Sequence, residues 1–278
     1  MDPPLVIEQA GDLDNASAMA LERLPESLIV IGASAVGLEL AQVFARLGVR
    51  VTVLEALSRV VPAEDADMGN ALCDYLRSEG LEIHTDIEIE RVNRSSDGYA
   101  VQFWAGRETR TARAVQLLVA AGRRANTAGF GLGGALAAEN ALSGNQRRYD
   151  LSALPKVTFT DPAVASIGLT EDQARAQGIE PLVSKLPLEH VPRALAARDT
   201  RGFIKLVASA GTRKIIGAHI IAAEAGEIIT EPTLAIRFGL TIEDLTSTFH
   251  PYLTLSEGIK LAAQAFTKDV AKLSCCAA

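Results

Sequence analysis

A chain of 278 residues, 48% of them hydrophobic, can bury a substantial core and is long enough for two domains. Its net charge of −7 and pI near 5.2, with scattered basic residues, exclude a nucleic-acid backbone or an anionic membrane as natural partners. Three cysteines and an opening Met1-Asp2-Pro3-Pro4, which lacks a basic start and an apolar core, point to a cytoplasmic protein in a reducing compartment.

Residues 1–20 read as a leader and linker, its first twelve residues short and polar. Leu28-Ile29-Val30-Ile31 then reads as a buried strand running into Gly32-Ala33-Ser34-Ala35-Val36-Gly37. Beyond this turn Val36, Leu40, Val43, Phe44 and Leu47 recur at helical spacing, Gly48 stops the helix, and Val49 to Leu54 form a second strand ending at Glu55. The apolar stretch from Leu28 to Phe44 is interrupted by Gly32, Ser34, Gly37, Glu39 and Gln42, so it does not span a membrane.

Strand, glycine turn, helix, strand and acid in this order make a dinucleotide-binding βαβ unit. Gly32 permits the tight turn, the small Ser34 lets the backbone approach a pyrophosphate, and Gly37 lets helix and strand pack closely. The helix N-terminus offers N–H groups to the phosphates. Glu55 can accept hydrogen bonds from a ribose hydroxyl, which favours NADH over NADPH, while Arg59, four residues on, could meet a 2′-phosphate. The bland alternative is a purely structural βαβ unit.

A helix within Glu64 to Gly80 carries Met68, Leu72, Tyr75 and Leu76, and a short strand follows around Leu81 to His84. Cys73, beside that apolar face, reads as a small packed hydrophobe. Ile87 to Val92 and Tyr99 to Trp104 form a hairpin across a turn from Asn93 to Gly98, and Val115 to Ala120 returns as a buried strand. In the second half Thr170-Glu171-Asp172-Gln173 can cap a helix, and Ala223 to Arg237 and Thr254 to Phe266 read as amphipathic helices, the last with Leu255, Ile259, Ala262 and Phe266 on one side. His219 reads as structural, as does His250, with a place beside a metal ligand as the other reading of His250.

The chain ends in Cys275-Cys276-Ala277-Ala278. Adjacent cysteines close a disulfide only through a strained ring, whereas two thiolates readily take a soft metal ion. Cys275 and Cys276 are therefore the candidate metal ligands. A lipidated C-a-a-X box and a tail without function are the competing readings.

Gly122-Arg123 with Asn126, after the Val115 to Ala120 strand, resembles the Gly-Arg-x-x-Asn signature of the pyridine-nucleotide disulfide oxidoreductases. Glu39 is similar to the glutamate that this family places near the nicotinamide; a solvated helix residue is the alternative. Leu154 to Glu171, Arg201 to Leu206 and Ile215 to His219 resemble segments of the family's interface domain. His250-Pro251-Tyr252-Leu253-Thr254-Leu255-Ser256-Glu257 resembles its acid/base element, with Tyr252 where most members carry a working histidine. That substitution, Val191-Pro192-Arg193-Ala194 and the Cys275-Cys276 ending are similar to the members that reduce Hg(II).

The resemblance implies an α/β fold: a Rossmann-like NAD(P)-binding domain over 21–127, a linker over 128–153 with a remnant helix of the flavin domain, and an α+β dimerisation domain over 154–278. It implies a homodimer that reduces Hg(II) to elemental mercury with NAD(P)H by way of FAD. Cys275 and Cys276 would capture the ion and pass it to an inner dithiol, and Tyr252 would lie against it. Glu257 is either part of that element or, with Thr254, a capping box. Nothing upstream of Leu28 resembles the family's flavin-binding unit or its Cys-x4-Cys pair, and Thr127 to Gly133 stands where a second flavin segment is expected. The chain is thus expected to lack the FAD-binding segments and to be incomplete as an autonomous enzyme. The alternatives are a non-catalytic, nucleotide-binding and Hg(II)-sequestering dimer, or a dihydrolipoamide-dehydrogenase-like fragment.

Overall fold

The computed structural model describes residues 12–122, 134–144 and 153–269. Helix α1 (Asn15–Met19) opens on an Asp14 capping box. Strand β1 (Ser27–Ile31), helix α2 (Ala35–Arg46), strand β2 (Arg50–Leu54), helix α3 (Ala66–Ser78) and strand β3 (Glu82–His84) follow. A meander of β4 (Ile87–Ser95), β5 (Gly98–Ala105) and β6 (Glu108–Ala114) then leads to β7 (Gln116–Val119).

The parallel sheet has the order β3-β2-β1-β7 and is covered on both faces, as parallel sheets require. Alternation along β1 divides the two cores. Leu28 and Val30 face α2 and α3, packing with Val51, Val53, Leu38, Phe44, Met68 and Leu72. Ile29 and Ile31 face the meander, with Leu54, Leu117, Val101 and Phe103.

After α4 (Gly134–Ser143) come β8 (Lys156–Thr158), β9 (Ala163–Gly168), α5 (Glu171–Ala176), β10 (Pro181–Pro187), α6 (Pro192–Ala197), β11 (Phe203–Ser209) and β12 (Ile215–Ala222). Helices α7 (Ala225–Ile228), α8 (Thr230–Phe238), α9 (Ile242–Ser247) and α10 (Glu257–Gln264) end the described chain. The antiparallel order is β10-β11-β12-β9-β8. One face of this sheet packs Ala165, Ile204, Leu206 and Ile220 against Ile259 and Ala262 of α10. The other face sends Val164, Phe203 and Ile221 into the core around α2 and α3, so those two helices lie between the sheets.

Several elements differ from their sequence reading. On α2 the buried residues are Gly37, Leu38, Leu40, Ala41, Gln42 and Phe44, whereas Val43 and Leu47 are exposed, because the close contact at Gly37 sets the helix's inner face. The hairpin turn is shorter than Asn93 to Gly98. Gly98, at φ +119° with no room for a Cβ beside the Ala114 carbonyl, already belongs to β5. The expected helix from Ala223 to Arg237 is two helices; Pro232, in the first turn of α8, has no N–H to carry the ladder back into α7. The last helix begins at Glu257 rather than Thr254.

Candidate nucleotide-binding and interdomain site

The glycine turn is built on steric necessity. Gly32 adopts φ +102°, and a Cβ there would lie 2.6 Å from the Ala120 carbonyl oxygen. At Gly37 a Cβ would lie 2.0 Å from the Gly32 carbonyl oxygen. No ordinary packing adjustment accommodates that approach. Ser34 is the N-cap of α2, exposed, with no side-chain capping bond, so its hydroxyl faces outward at the end where helix N–H groups lack intrahelical partners.

Glu55, at the carboxyl end of β2, is buried, and it braces the turn. Its Oε2 accepts from Ala33 N–H at 2.6 Å and its Oε1 from Leu57 N–H at 2.9 Å. A carboxylate has about four acceptor positions, so capacity for a ribose hydroxyl remains. Arg59 lies against Gly69 of α3, its Nε buried without a partner, on a hollow of about 250 Å³ that Ser58, Asn70, Cys73 and Arg77 also line. Burial pushes the Cys73 thiol above its ordinary pKa, as suits a packed and unreactive side chain. Gly122 is exposed just past β7, and Arg123 lies outside the described residues.

Glu39 does not stand as a solvated residue. Its Oε1 accepts from Phe159 N–H at 2.8 Å, so α2 grips the β8–β9 turn of the second half. The buried Gln42 extends the grip, accepting from Asp161 N–H and donating to the Asp161 carbonyl, both at 2.8 Å. Arg46 and Arg201 each pair with the Asp161 carboxylate at 2.8 Å, and Glu79 and Asp199 in turn pair with Arg46 and Arg201 respectively. Tyr75 Oη accepts from Gly202 N–H at 2.9 Å.

A second junction is deeper. Lys205 Nζ lies 3.0 Å from Asp65, the N-cap of α3, and 3.2 Å from Asp67. Burial disfavours the ammonium, but the hydrogen bonds and charges of Asp65 and Asp67 outweigh it and hold Lys205 above its ordinary pKa. His219, opposite Lys205 in the ladder, meets the Leu169 carbonyl through Nε2 at 3.1 Å and has its Nδ1 buried without a partner. Burial lowers its pKa, which favours the neutral imidazole.

The acid/base-like segment is separate from the glycine turn. Tyr252 is 65% exposed, and Leu253 after it has φ +62°. His250 is tied to Glu231 at 2.7 Å and to the Thr248 carbonyl at 3.1 Å, in keeping with a structural role. Glu257 and Thr254 form a displaced capping pair: Glu257 N–H donates to Thr254 Oγ1, while the carboxylate accepts from Leu253 N–H rather than from Thr254, each at 3.2 Å. Cys275 and Cys276 lie outside the described residues, among which there is no cluster of three His, Cys, Asp or Glu able to hold a metal. Among those residues no helix is long and apolar enough to cross a membrane.

Gly37→Ala tests the cradle. With its Cβ so close to a carbonyl, the variant is expected to lose about 1–3 kcal/mol of stability and to weaken NADH binding at least tenfold, read by urea unfolding and by fluorescence titration. An unchanged affinity would separate this turn from nucleotide binding.

Residues 154–263 match the pyridine nucleotide-disulphide oxidoreductase dimerisation domain. Mercuric reductase of Streptomyces lividans is 42% identical over 315 residues, covering 98% of this chain and 66% of its own length. That of Staphylococcus aureus is 38% identical, covering 95% and 56%. The chain thus spans between about half and two thirds of these curated relatives. Among solved structures, LpdA from Mycobacterium tuberculosis superposes with a TM-score of 0.81 at 24% identity, covering 94% of this chain and 67% of that one. The HOCl-induced flavoprotein disulfide reductase RclA from Escherichia coli gives 0.80 at 25%, covering 95% and 71%. Since residues 4–146 also match the pyridine nucleotide-disulphide oxidoreductase family itself, the chain belongs to that family, whose cofactors are NAD(P)H and FAD, and within it resembles mercuric reductase.

Proposed function

We propose that this chain carries the nicotinamide-binding and metal-capturing parts of an NAD(P)H-dependent Hg(II) reductase. The observation that carries the reading is the glycine cradle, in which Gly32, Gly37 and Glu55 meet the steric and hydrogen-bonding demands of a bound dinucleotide on a chain that resembles mercuric reductase throughout. In this reading residues 21–127 hold the nucleotide, 128–153 link, and 154–278 form the dimerisation domain with its thiol tail. Gly32, Ser34, Gly37, Gly122 and Arg123 line the nucleotide, and Glu55 favours NADH because its buried carboxylate repels a 2′-phosphate, with Arg59 pulling the other way. Net chemistry moves two electrons from NAD(P)H to Hg(II), giving NAD(P)⁺, a proton and elemental mercury.

In this reading Cys275 and Cys276 hold Hg(II) as paired thiolates, and a reducing cytoplasm keeps them free. Tyr252 offers an exposed phenol to the bound ion, and Glu257 holds the segment that carries it. Phe249 beside it is almost fully exposed, a surface that a second copy would cover in a homodimer. In this reading the glycine-turn cradle at Gly32 and Gly37 holds the nicotinamide nucleotide. The alignment to the Streptomyces lividans relative is longer than this whole chain, which supports an internal segment present there and missing here.

That gap favours a second reading, a dimer that binds nucleotide and sequesters Hg(II) without turnover. Titrating purified protein with FAD, NADH and Hg(II) while recording its absorption spectrum separates the two. Bound flavin with Hg(II)-dependent NADH oxidation identifies the reductase. NADH and Hg(II) binding without flavin identifies the sequestering dimer, and binding of none of the three overturns both.

A further inference from the structure

The end of the parallel sheet remote from the glycine turn departs from the pattern that builds its core. Ile29 and Ile31 of β1 point toward the meander, and strand register carries that face from Ser27 and Ile29 to Arg50 and Thr52 of β2, and on to Glu82 and His84 of β3. Phe103 of β5 faces the same space and lies opposite Arg110 of β6. Inward positions that hold Leu54, Leu117 and Val101 deeper between the sheets are therefore charged or hydroxylated here. The two sheets leave a cleft between these residues of about 620 Å³, which Arg113 of β6 also lines. That volume falls within the range of small-molecule sites.

Its charges are uneven. The guanidiniums of Arg50, Arg110 and Arg113 line the cleft with one carboxylate, that of Glu82. This carboxylate is already engaged on both oxygens: Oε2 accepts from Thr52 Oγ1 at 3.1 Å, and Oε1 lies 2.8 Å from Nε2 of His84, whose ring packs on Phe103 with centroids 5.2 Å apart. Arg50 and Arg113 have no ion-pair partner among the described residues. Arg110 pairs with Glu108 at 2.9 Å, but both side chains are exposed, so water screens the pair and leaves the guanidinium open to a stronger partner. An excess of two positive charges in the lining, on a chain of net charge −7, matches a dianion. Guanidinium forks match the oxygens of a phosphate group in geometry as well as charge.

We propose that this cleft binds a dianionic phosphate, free or as the phosphate group of a small ester, with Arg50, Arg110 and Arg113 as its contact residues. The site is separate from the glycine cradle. Ser27 and Arg50 open the strands whose other ends lead to Gly32 and Glu55, roughly 15 Å away along β1 and β2. The proposal stands independently of the nucleotide-binding reading.

Isothermal titration of the full chain with inorganic phosphate, glycerol 3-phosphate and uncharged glycerol, each with and without excess NADH, gives the test. Both phosphates are expected to bind and glycerol is not. Arg50→Gln and Arg110→Gln are each expected to raise the phosphate Kd about tenfold, and the double variant to abolish binding. Arg91→Gln, which removes the same charge from β4 outside the cleft, should leave the Kd within about twofold. Because Arg50 and Arg110 are exposed, urea unfolding of both variants should match the wild type, so that lost binding is not lost folding. Tighter binding of glycerol 3-phosphate than of phosphate would assign the cleft to an ester, and equal binding to the free ion. A wild type that binds neither phosphate, equal weakening in Arg91→Gln, or phosphate binding that NADH displaces and the Arg50 and Arg110 variants retain, would overturn the proposal.

Discussion

Alanine at both Cys275 and Cys276 is expected to abolish tight Hg(II) binding. Two thiolates on neighbouring residues act as a chelate: once one sulfur has bound, the other is present at a high effective concentration. That advantage is on the order of 10²–10⁴ over a single thiolate, so either single variant should lose most of the affinity and the double variant nearly all of it. The remaining thiol, Cys73, is a poor substitute, being buried on α3 with its pKa pushed up, so little of it is thiolate at neutral pH. Cys73→Ala is therefore expected to leave Hg(II) affinity unchanged. Ultraviolet thiolate-to-metal absorption, titrated against a competing small dithiol, measures the four variants against the wild type. Wild-type affinity in the double variant would end the metal-capture reading of the tail.

Local steric and capping demands were the legible part of this chain. Gly32 and Gly37 declare themselves because the turn they build has room for nothing else, and Thr170 with Gln173 forms the reciprocal capping box that its spacing predicts. Strand β6 was not foreseen: Glu108 to Ala114 is an exposed edge without apolar alternation, recruited by pairing with β5 alone. Strand β10 was equally hidden, since prolines bound it at Pro181 and Pro187, which only an edge position tolerates.

The interdomain contacts were harder to read, because their residues pass for solvated ones. Glu39, Gln42 and Arg46 occupy a helix flank that any exposed helix could carry, and only the docking of the β8–β9 turn gives them partners. Lys205 did carry a signal. Along β11, Phe203 and Val207 on one face and Ile204, Leu206 and Ala208 on the other are all buried, so the strand is covered on both sides. A lysine in such a strand must find an anion, and among the acidic runs of the sequence Glu64-Asp65-Ala66-Asp67 supplies two and Glu171 a third at 3.9 Å, a partnership that appears only when α3 is packed against the second sheet.

Lys205→Met is expected to cost about 3–5 kcal/mol, the largest stability loss of any single change considered. The side chain is 7% exposed, so methionine preserves the packed stem while removing the charge and leaving the Asp65 carboxylate buried without its cation. Asp65→Asn in the same chain should recover much of the loss, since a neutral pair avoids the uncompensated charge even though both hydrogen bonds to Nζ are gone. The pH dependence separates this account from simple loss of packing. Burial acts to raise the Asp67 pKa, but Lys205 and Lys185 outweigh it and hold it below its ordinary 3.8, so its contribution exists above that value and is lost as pH falls through the folded pKa. Lys205 is held above its ordinary 10.5, so its contribution is present below that value and is lost as pH rises through the folded pKa. Wild-type stability should therefore decline at both extremes, and in Lys205→Met the alkaline decline from this site should vanish. Urea unfolding at a series of pH values reads the effect. An equal deficit in Lys205→Met and in Lys205→Met with Asp65→Asn, at every pH, would mean that volume and not charge holds the two halves together.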